Sequence, residues 1–390
     1  MKNSCMKKMC RDKYFGLSSR IAIWKIDTPF ENWLSQKADF SDFWKRIYVA
    51  YYKIFDTKYY KGGIGLAKKE ICLRKEKFRQ YKEGYIIRDM IYCLHRFGIS
   101  FQDYCIYEFI DRNYHCRASF VSDKLRYHYC DILNDKCVLP LMTDKYECYK
   151  KYKKFFKREV CGCHEIGDKD AFISFVHKHK KFIFKPLQEH SGHGIEIFSL
   201  EDIDEESFFS ERINQGAFVV EELIEQGSEL AVMHPQSVNS LRVMTFVLGD
   251  KVNIIGVTWR IGVGSAVMDN AGAGGIYASI DPRYGFVQTD AVNYRGEHFN
   301  IHPNTNIQIV GYKLPKWDEA LSLIQEMSVA IKGTTLISWD IAYSKKGWLM
   351  VEANDNGDWS IIQSNKKLGK KAELYSYMDD YFKLKNGRNV

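Results

Sequence analysis

The sequence predicts an α+β protein in which a helical, basic N-terminal part precedes a part built from short strands. Aromatic and aliphatic residues recur at helical spacings over residues 14–130, as expected for the buried faces of helices. From residue 160 the pattern changes to short β-branched and aromatic runs separated by glycine-containing turns. We therefore predict a helical module over residues 1–130 and a second domain over residues 131–390.

The charge of the chain is unevenly spread. Residues 1–160 hold 34 Lys and Arg against 19 Asp and Glu, whereas the remainder holds 23 against 30. This surplus predicts an anionic partner for the N-terminal part: a nucleotide phosphate, an anionic glycan, a membrane surface or nucleic acid. Because the aromatic stripes have helical spacing, we interpret them as buried helix faces rather than base-stacking surfaces, and we predict no specific nucleic-acid partner.

The cellular setting is predicted from what the sequence lacks. No run of 18 uncharged apolar residues occurs, so we expect no transmembrane segment, and the basic start is not followed by the apolar stretch of a secretory signal. The 11 cysteines are scattered and odd in number, which favours reduced thiols and a cytoplasmic protein. Cys161-Gly162-Cys163-His164 has the wrong spacing for the common structural zinc sites.

Two stretches, one rich in glycine and one rich in lysine, are candidate phosphate contacts. Gly62-Gly63-Ile64-Gly65 lacks a following Lys-Ser/Thr, so we expect it to separate helices. Residues 145–158 form a predicted Lys- and Tyr-rich helix that begins at Lys145. This charge run is typical of a solvated helix face, but a lysine at a helix start, beside free backbone N–H groups, is also a good phosphate ligand.

A strand, loop and strand over residues 182–198 suggest a second phosphate contact. The first strand carries Lys185 near its end, and the loop contains Gly192 and Gly194. Such a hairpin can fold over phosphates, because glycines allow close backbone approach and the lysine supplies a point charge. The motif is weak alone, since many hairpins contain Ser-Gly-X-Gly.

The next predicted strand, residues 217–224, runs into an acidic segment. Its main chain could pair with an adenine edge, and a carboxylate there could accept hydrogen bonds from ribose hydroxyls. A strand end with solvated acids explains the pattern equally well. The residues concerned are Glu221, Glu222, Leu223 and Glu229.

Two arginines lie within or at the end of otherwise apolar strands. Arg242 lies near the start of the predicted strand over residues 239–248, and Arg260 ends the next one, residues 252–260. Arginines in such positions are usually paired, and a structural salt bridge is the ordinary interpretation. The glycine-rich turn that follows contains Asn270, and its main-chain N–H groups could converge on an anion.

The last predicted hairpin joins residues 335–343 and 348–353 through a Gly-containing turn. Opposed strands would bring Asp340 near Glu352 and Asn354, and the latter two share one face because side chains alternate along a strand. Two carboxylates and an amide suit Mg²⁺. An ordinary hairpin with solvated polar residues is the open alternative at this point.

Taken in order, these motifs resemble an ATP-grasp enzyme. More narrowly, residues from about 98 to 365 resemble the sugar-transfer-associated ATP-grasp group found with bacterial surface-polysaccharide genes. The stretches that carry the resemblance are Asn239-Ser240-Leu241-Arg242, Met268-Asp269-Asn270 with Gly274-Gly275, His302-Pro303, Leu314-Pro315-Lys316-Trp317, and Trp339-Asp340-Ile341-Ala342 with Val351-Glu352-Ala353-Asn354.

The resemblance implies an ATP-grasp fold, two α+β subdomains gripping ATP, with a lid at about 160–222 and a catalytic subdomain at about 230–365. It implies Mg²⁺ on Asp340, Glu352 and Asn354, and α/β-phosphate contacts from Lys185 and from Lys145 or Lys136. Adenine would meet the Leu223 backbone, and ribose would meet Glu229. Arg242 and Arg260 would face the γ-phosphate or the acceptor.

The implied activity is that of an ATP- and Mg²⁺-dependent ligase that joins a carboxylate to an amine. We expect a carboxylated sugar, or a related small molecule or glycan, as acceptor and an amino acid or amine as donor, in surface-polysaccharide biosynthesis. One alternative is a kinase-like phosphotransferase that acts on a hydroxyl. A second, of another class, is a non-catalytic binder of anionic polymer.

Overall fold

The computed structural model describes residues 28–55, 57–187, 194–265, 269, 274–366 and 368–387. Its N-terminal part is helical, as the sequence predicts. The helices are α1 (Pro29–Ala38), α2 (Asp42–Phe55), α3 (Thr57–Leu73), α4 (Lys75–Phe78), α5 (Glu83–Phe97), α6 (Phe101–Ile106), α7 (Tyr114–Ala118), α8 (Asp123–Leu133), α9 (Leu139–Thr143) and α10 (Lys145–Phe156). Gly98 ends α5 in the left-handed region with φ 70°.

A buried ion cluster ties these helices together. Asp89 on α5 accepts from Lys45 Nζ at 2.8 Å, from Arg117 Nη2 at 2.7 Å and from the Tyr104 hydroxyl at 2.7 Å. Burial opposes ionisation of Asp89, but the charge of Arg117, followed by that of Lys45, outweighs it and lowers the pKa. The cluster therefore fixes α2, α5, α6 and α7 against one another.

The prediction that Gly62-Gly63-Ile64-Gly65 separates two helices is wrong. All four residues lie inside α3. A Cβ on Gly63 would meet the Phe101 ring at 3.2 Å, so the glycine lets α3 pack closely against α6. Helix packing overrides the low helix propensity of glycine here.

The rest of the chain forms two antiparallel sheets with flanking helices, and the α+β prediction is confirmed. The elements are β1 (Val160–Cys163), α11 (Lys169–Lys178), β2 (Lys181–Pro186), β3 (Glu196–Ser199), α12 (Glu205–Gln215), β4 (Phe218–Glu222), α13 (Ser228–Ala231), β5 (Leu241–Leu248), β6 (Lys251–Ile261), β7 (Ile276–Ser279), β8 (Ala291–Val292), β9 (His298–Phe299), α14 (Trp317–Val329), β10 (Leu336–Ser344), β11 (Gly347–Asn354), α15 (Ser360–Gln363) and α16 (Lys371–Lys385).

The first sheet has the strand order β1-β4-β2-β3. Helices α11 and α12 cover one face of it through a cluster of phenylalanines. Phe172 and Phe208 stack with centroids 5.8 Å apart, and Phe182 and Phe218 complete the same core. This small sheet is the part of the structure that carries Lys185 and Glu221.

The second sheet has the order β11-β10-β5-β6-β7-β8-β9. Helices α10 and α14 pack against one face, where Ile337, Trp339 and Ile341 of β10 are buried. Because side chains alternate along a strand, Asp340 is left on the opposite face. Helices α8 and α16 cover part of the face that carries Asp340, where they pack against Met244 and Phe246 of β5.

The hairpin predicted at residues 335–353 is confirmed. The register pairs Asp340 with Glu352 and Ser338 with Asn354, and it shifts between Asp340 and Ile341. Every residue of β10 is buried. The sequence pattern of two apolar runs around a short turn was therefore sufficient to predict which carboxylates oppose each other.

The start of β10 is held by one side chain from the helical part. The Asn134 amide oxygen accepts from the main-chain N–H groups of Thr335 at 2.9 Å and Leu336 at 2.8 Å, and its nitrogen donates to Leu336 O at 2.9 Å. Asn134 is only 5% exposed, so water cannot replace these bonds.

Substituting Asn134→Ala should therefore destabilise the protein by about 3 kcal/mol, since buried main-chain polar groups lose their partners. The midpoint of urea denaturation measures this loss. Asn386→Ala, which removes an exposed amide at the end of α16, is the matched control and should shift the midpoint little. Equal midpoints for the two variants would contradict the assigned role of Asn134.

Candidate active site

Asp340 lies at the centre of a group of charged side chains on three neighbouring strands. Arg242 on β5 binds the carboxylate with two nitrogens, Nη2 at 3.1 Å and a shorter bond from Nε. Arg260 on β6 adds Nη2 at 2.8 Å. Burial alone would raise the pKa of Asp340, yet Arg242 and then Arg260 lower it to about 2. Asp340 is therefore ionised and shared by both arginines.

A second layer of contacts fixes Arg260. Its Nε and Nη2 donate to the Ser240 hydroxyl oxygen at 3.1 and 2.6 Å. Asp269 in turn accepts from the Ser240 main-chain N–H at 2.7 Å and lies 3.7 Å from Arg260 Nε. Asp269 was not among the predicted site residues, although it stands within one of the stretches that carry the resemblance.

Glu352 and Asn354 of β11 lie beside Asp340 of β10. Asp340 and Glu352 are directly opposite each other across the two strands, and Asn354 Nδ2 donates to Glu352 Oε1 at 3.3 Å. Burial and then the negative charge of Asp340 raise the pKa of Glu352. The sequence analysis predicted that these three side chains meet, and the structure brings them together.

This group of oxygens fits a divalent cation. Two adjacent carboxyl groups raise the pKa of one of them, and a cation between them would remove that repulsion. In the described part of the chain no cluster of three or more His, Cys, Asp and Glu side chains suits a metal ion. A metal at this site would therefore depend on two carboxylates and an amide, the oxygen ligands that Mg²⁺ accepts.

Lys185 reaches the site from the small sheet and is held by a buried ion network. Its Nζ lies 2.8 Å from Glu221 Oε1, and the other Glu221 oxygen accepts from Arg158 Nη2 at 2.8 Å. Arg158 also donates to the main-chain oxygens of Met350 at 2.6 Å and Val351 at 3.0 Å on β11. Arg158 thus connects the small sheet to the strand that carries Glu352.

Arg158 was missed by the sequence analysis. It follows a run of lysines and tyrosines at the end of α10, and nothing in that pattern separates it from solvated neighbours. Glu221 was predicted as a cofactor contact, whereas the structure places its carboxylate between Lys185 and Arg158.

Lys145 stands at the start of α10, as predicted. Of Lys136 and Lys145, it is the one that lies near Glu352, which with Asp340 is called the acid pair below. Its Nζ donates to Pro186 O at 2.9 Å, just past Lys185. Burial lowers the pKa of Lys145, and the nearby Glu352 carboxylate opposes this shift. The other predicted lysine, Lys136, has an 81% exposed side chain and lies 3.8 Å from Asp131.

A short segment after β4 joins the two sheets. Glu222 pairs with Lys346 at 2.7 Å, and Gln226 forms a bridge with Ser344. Between these anchors, the main chains of Leu223 and Ile224 make no hydrogen bond to any part of the chain that the structure describes. Leu223 therefore has backbone groups available for a ligand.

Glu229 lies at the wall of a cavity of about 590 Å³. The cavity is also lined by Tyr312 and by Lys316 and Trp317, the last two residues of the Leu314-Pro315-Lys316-Trp317 stretch. The Tyr343 hydroxyl donates to Glu229 Oε1 at 3.4 Å. None of the predicted phosphate or metal residues is among the described residues that line this cavity.

Two predicted site residues, Gly192 and Asn270, lie outside the described residues. Gly194, at the end of the same loop, has φ 70°. Of Cys161-Gly162-Cys163-His164, the first three residues lie in β1. Among the helices of the described residues, none has the length and apolar content of a membrane-spanning segment.

The ion network around Glu221 should make stability depend on pH. Burial would raise the pKa of Glu221, but Lys185 and then Arg158 lower it from 4.5 to about 2. A depressed pKa in the folded state stabilises the protein above pH 4.5, and this contribution is lost as the pH falls towards 2. This contribution of Glu221 to the free energy of unfolding is on the order of 3 kcal/mol.

The free energy of unfolding of Glu221→Gln should therefore fall below that of the wild type at neutral pH, and the gap should narrow between pH 4.5 and 2. Glu222→Gln, the neighbouring residue of β4, loses a half-exposed pair and should cost under about 1 kcal/mol. Chemical denaturation across this pH range measures the free energy of unfolding of both variants. If the difference between wild type and Glu221→Gln does not change with pH, the ion network does not have the assigned role.

Comparison with known proteins matches part of the chain to a family. Residues 204–375 match the model of the sugar-transfer associated ATP-grasp family. None of the curated proteins matches the chain significantly.

Similar solved structures include the ATP-grasp ligase PsnB complexed with minimal precursor, Mg and ADP, at 12% identity and a TM-score of 0.40 over 69% of each chain. A second is D-alanyl-alanine synthetase A from Vibrio cholerae, with 11% sequence identity and a TM-score of 0.39 over 62% of this chain and 65% of that chain. A third is N5-carboxyaminoimidazole synthetase from Staphylococcus aureus complexed with ADP, with 10% sequence identity and a TM-score of 0.39 over 62% of this chain and 53% of that chain. By its family match, the chain carries a sugar-transfer associated ATP-grasp region over residues 204–375, which confirms the resemblance predicted from its sequence.

Proposed function

We propose that the protein is an ATP- and Mg²⁺-dependent carboxylate–amine ligase. It joins an amino acid or amine to a carboxylated sugar, or to a related acceptor, during surface-polysaccharide assembly in the cytoplasm. The family match supports ATP-dependent chemistry of the ATP-grasp kind. The acceptor, the donor and the pathway belong to the proposal, because function depends on the site rather than on the fold.

One observation carries this proposal: basic side chains from separate segments surround the acid pair on β10 and β11. The group holds one more basic than acidic residue, so bound Mg²⁺ would supply most of the positive charge that meets the nucleotide and the acceptor, and the basic side chains would already be held in place. It holds five basic residues against four acidic ones, namely Lys145, Arg158, Lys185, Arg242 and Arg260 against Glu221, Asp269, Asp340 and Glu352.

The nucleotide would lie between the two sheets. Lys145 and Lys185 would contact the α- and β-phosphates, and Glu221 would position Lys185 through the 2.8 Å ion pair. The free backbone groups of Leu223 would meet adenine, and Glu229 would accept from the ribose hydroxyls. Lysines held by neighbours in this way lose little further freedom when phosphate binds.

Asp340, Glu352 and Asn354 would hold Mg²⁺. When bound, the ion neutralises phosphate charge and orients the oxygens for in-line displacement. Arg242 and Arg260 would present guanidinium groups to the γ-phosphate or to the acceptor carboxylate, and Asp340 keeps both arginines on this face of the sheet. Asn270 would add an amide from the glycine-rich turn.

In the proposed reaction the acceptor carboxylate attacks the γ-phosphorus of ATP, and ADP leaves. The amine then attacks the carbonyl carbon of the acyl phosphate, loses a proton and displaces inorganic phosphate, which leaves an amide. The chain needs no nucleophilic Ser, Cys or His for either step. Its contribution is to bring negatively charged groups together, and removal of one such contact typically slows an enzyme by roughly a hundredfold.

Analysis of products tests the proposal. Wild-type protein is incubated with Mg·ATP and a panel of uronic acids paired with amino acids, and the products are identified by mass spectrometry. The ligase predicts ADP, inorganic phosphate and an amide that appear together and only when acid and amine are both present. A phosphorylated acceptor without released phosphate would replace the ligase with the phosphotransferase alternative.

Glu352→Gln should reduce turnover in this assay by roughly a hundredfold or more, because the acid pair loses one carboxylate. Glu225→Gln, an exposed residue that pairs with Lys345, is the control and should keep wild-type activity. If both variants turn over at the wild-type rate, the acid pair has no part in catalysis. If no member of the panel is consumed and Mg·ATP does not bind, the non-catalytic binder becomes the better account.

A further inference from the structure

The helical N-terminal part holds a cavity of about 520 Å³. Helices α1, α2, α5 and α7 and the segments beside them line it. The described residues that line this cavity include none of those grouped around Asp340. Its volume lies in the range that encloses a small molecule, and it is too small for a polymer strand or a membrane surface. We call it the N-terminal cavity.

Charged side chains with buried partners line the N-terminal cavity. Lys45 and Arg117 are among its lining residues and share the carboxylate of Asp89, at 2.8 and 2.7 Å. Asp39 also lines the cavity, and its carboxylate binds Arg96 at 2.7 Å. The side chains of Arg117 and Asp39 are only 6% and 1% exposed. Groups held in this way lose little further freedom when a ligand binds.

Cations outnumber carboxylates at the N-terminal cavity. Asp42, which lines it, lies 3.0 Å from Arg46 and 3.6 Å from Arg88. Arg112 also lines it and has no carboxylate partner within the described residues, and the neighbouring Asp111 is not in the lining. The charged lining residues and their ion-pair partners are six cations and three carboxylates, namely Lys45, Arg46, Arg88, Arg96, Arg112 and Arg117 against Asp39, Asp42 and Asp89. This surplus favours an anionic ligand.

Neutral groups in the lining narrow the class of ligand further. The hydroxyl groups of Ser41 and Tyr85 and the amide nitrogen of Asn113 make no hydrogen bond to any residue that the structure describes. Phe40 is 72% exposed and packs on Tyr114 with ring centroids 5.1 Å apart, which leaves most of its ring uncovered. Free hydroxyl and amide groups beside an open aromatic ring suit a ligand that carries hydroxyls around an apolar ring surface.

We propose that the N-terminal cavity binds a carboxylated saccharide unit, so that the helical part is a glycan-binding module. The carboxylate would meet the surplus cations, the hydroxyls would bond with Ser41, Tyr85 and Asn113, and the C–H face of the sugar ring would pack on Phe40. A simple carboxylate would leave the three polar groups without a partner, and a neutral sugar would leave the cations unmatched. The site shares no residue with the proposed ligase site and does not depend on it.

Ligand-detected NMR titration of the full chain, without nucleotide, tests this inference with glucuronate, glucose and acetate. Glucuronate should bind roughly tenfold or more tightly than glucose, which lacks the carboxylate, and than acetate, which lacks the ring and the hydroxyls. Phe40→Ser and Tyr85→Phe should each weaken glucuronate binding by roughly fivefold, because the first loses the ring contact and the second loses one hydrogen bond.

The matched controls are Phe43→Ser and Tyr127→Phe, which change exposed rings outside the lining and should bind glucuronate as the wild type does. All four variants should have the thermal unfolding midpoint of the wild type. Three results would overturn the proposal: no glucuronate binding, acetate or glucose binding as tightly as glucuronate, or glucuronate binding that Phe40→Ser and Tyr85→Phe leave unchanged. A chain that binds glucuronate as expected but forms no amide would refute the ligase and leave this site standing.

Discussion

The site depends on one buried carboxylate shared by two arginines. Asp340 accepts from Arg242 and Arg260, so three adjacent strands, β10, β5 and β6, are joined at one point by charge as well as by their backbone ladder. Buried charges are tolerated only when they are paired, and here the pairing leaves Glu352 as the carboxyl group whose ionisation burial and Asp340 oppose. A divalent cation bound between the two carboxyl groups would offset that repulsion.

The second constraint is the connection between the two sheets. Arg158 binds Glu221 on β4 and the main chain of β11, and Glu221 holds Lys185. Arg158 therefore connects the lysine on the small sheet to the strand of the large sheet that carries Glu352. Such a network is costly to break at one member, because the remaining charges stay buried without a partner.

Local pattern was sufficient to predict much of this arrangement. The hairpin that opposes Asp340 and Glu352 follows from two apolar runs around a short turn, and Lys185 follows from its place at the end of a strand. Arg158, Asp269 and Asn134 could not be predicted in this way, because their partners lie far along the chain and depend on how the sheets pack. Gly63 was misinterpreted for a similar reason, since only its contact with Phe101 explains a glycine inside a helix.

The central claim is that Lys185 and the acid pair act on one bound nucleotide, and calorimetric titration with ATP tests it most directly. ATP should bind the wild type more tightly with Mg²⁺ than with a chelator, and Lys185→Met should weaken binding by roughly tenfold or more. Lys181→Met, on the same face of β2 but exposed, should leave the affinity unchanged. Equal affinity for wild type and Lys185→Met, or no effect of Mg²⁺, would contradict the account.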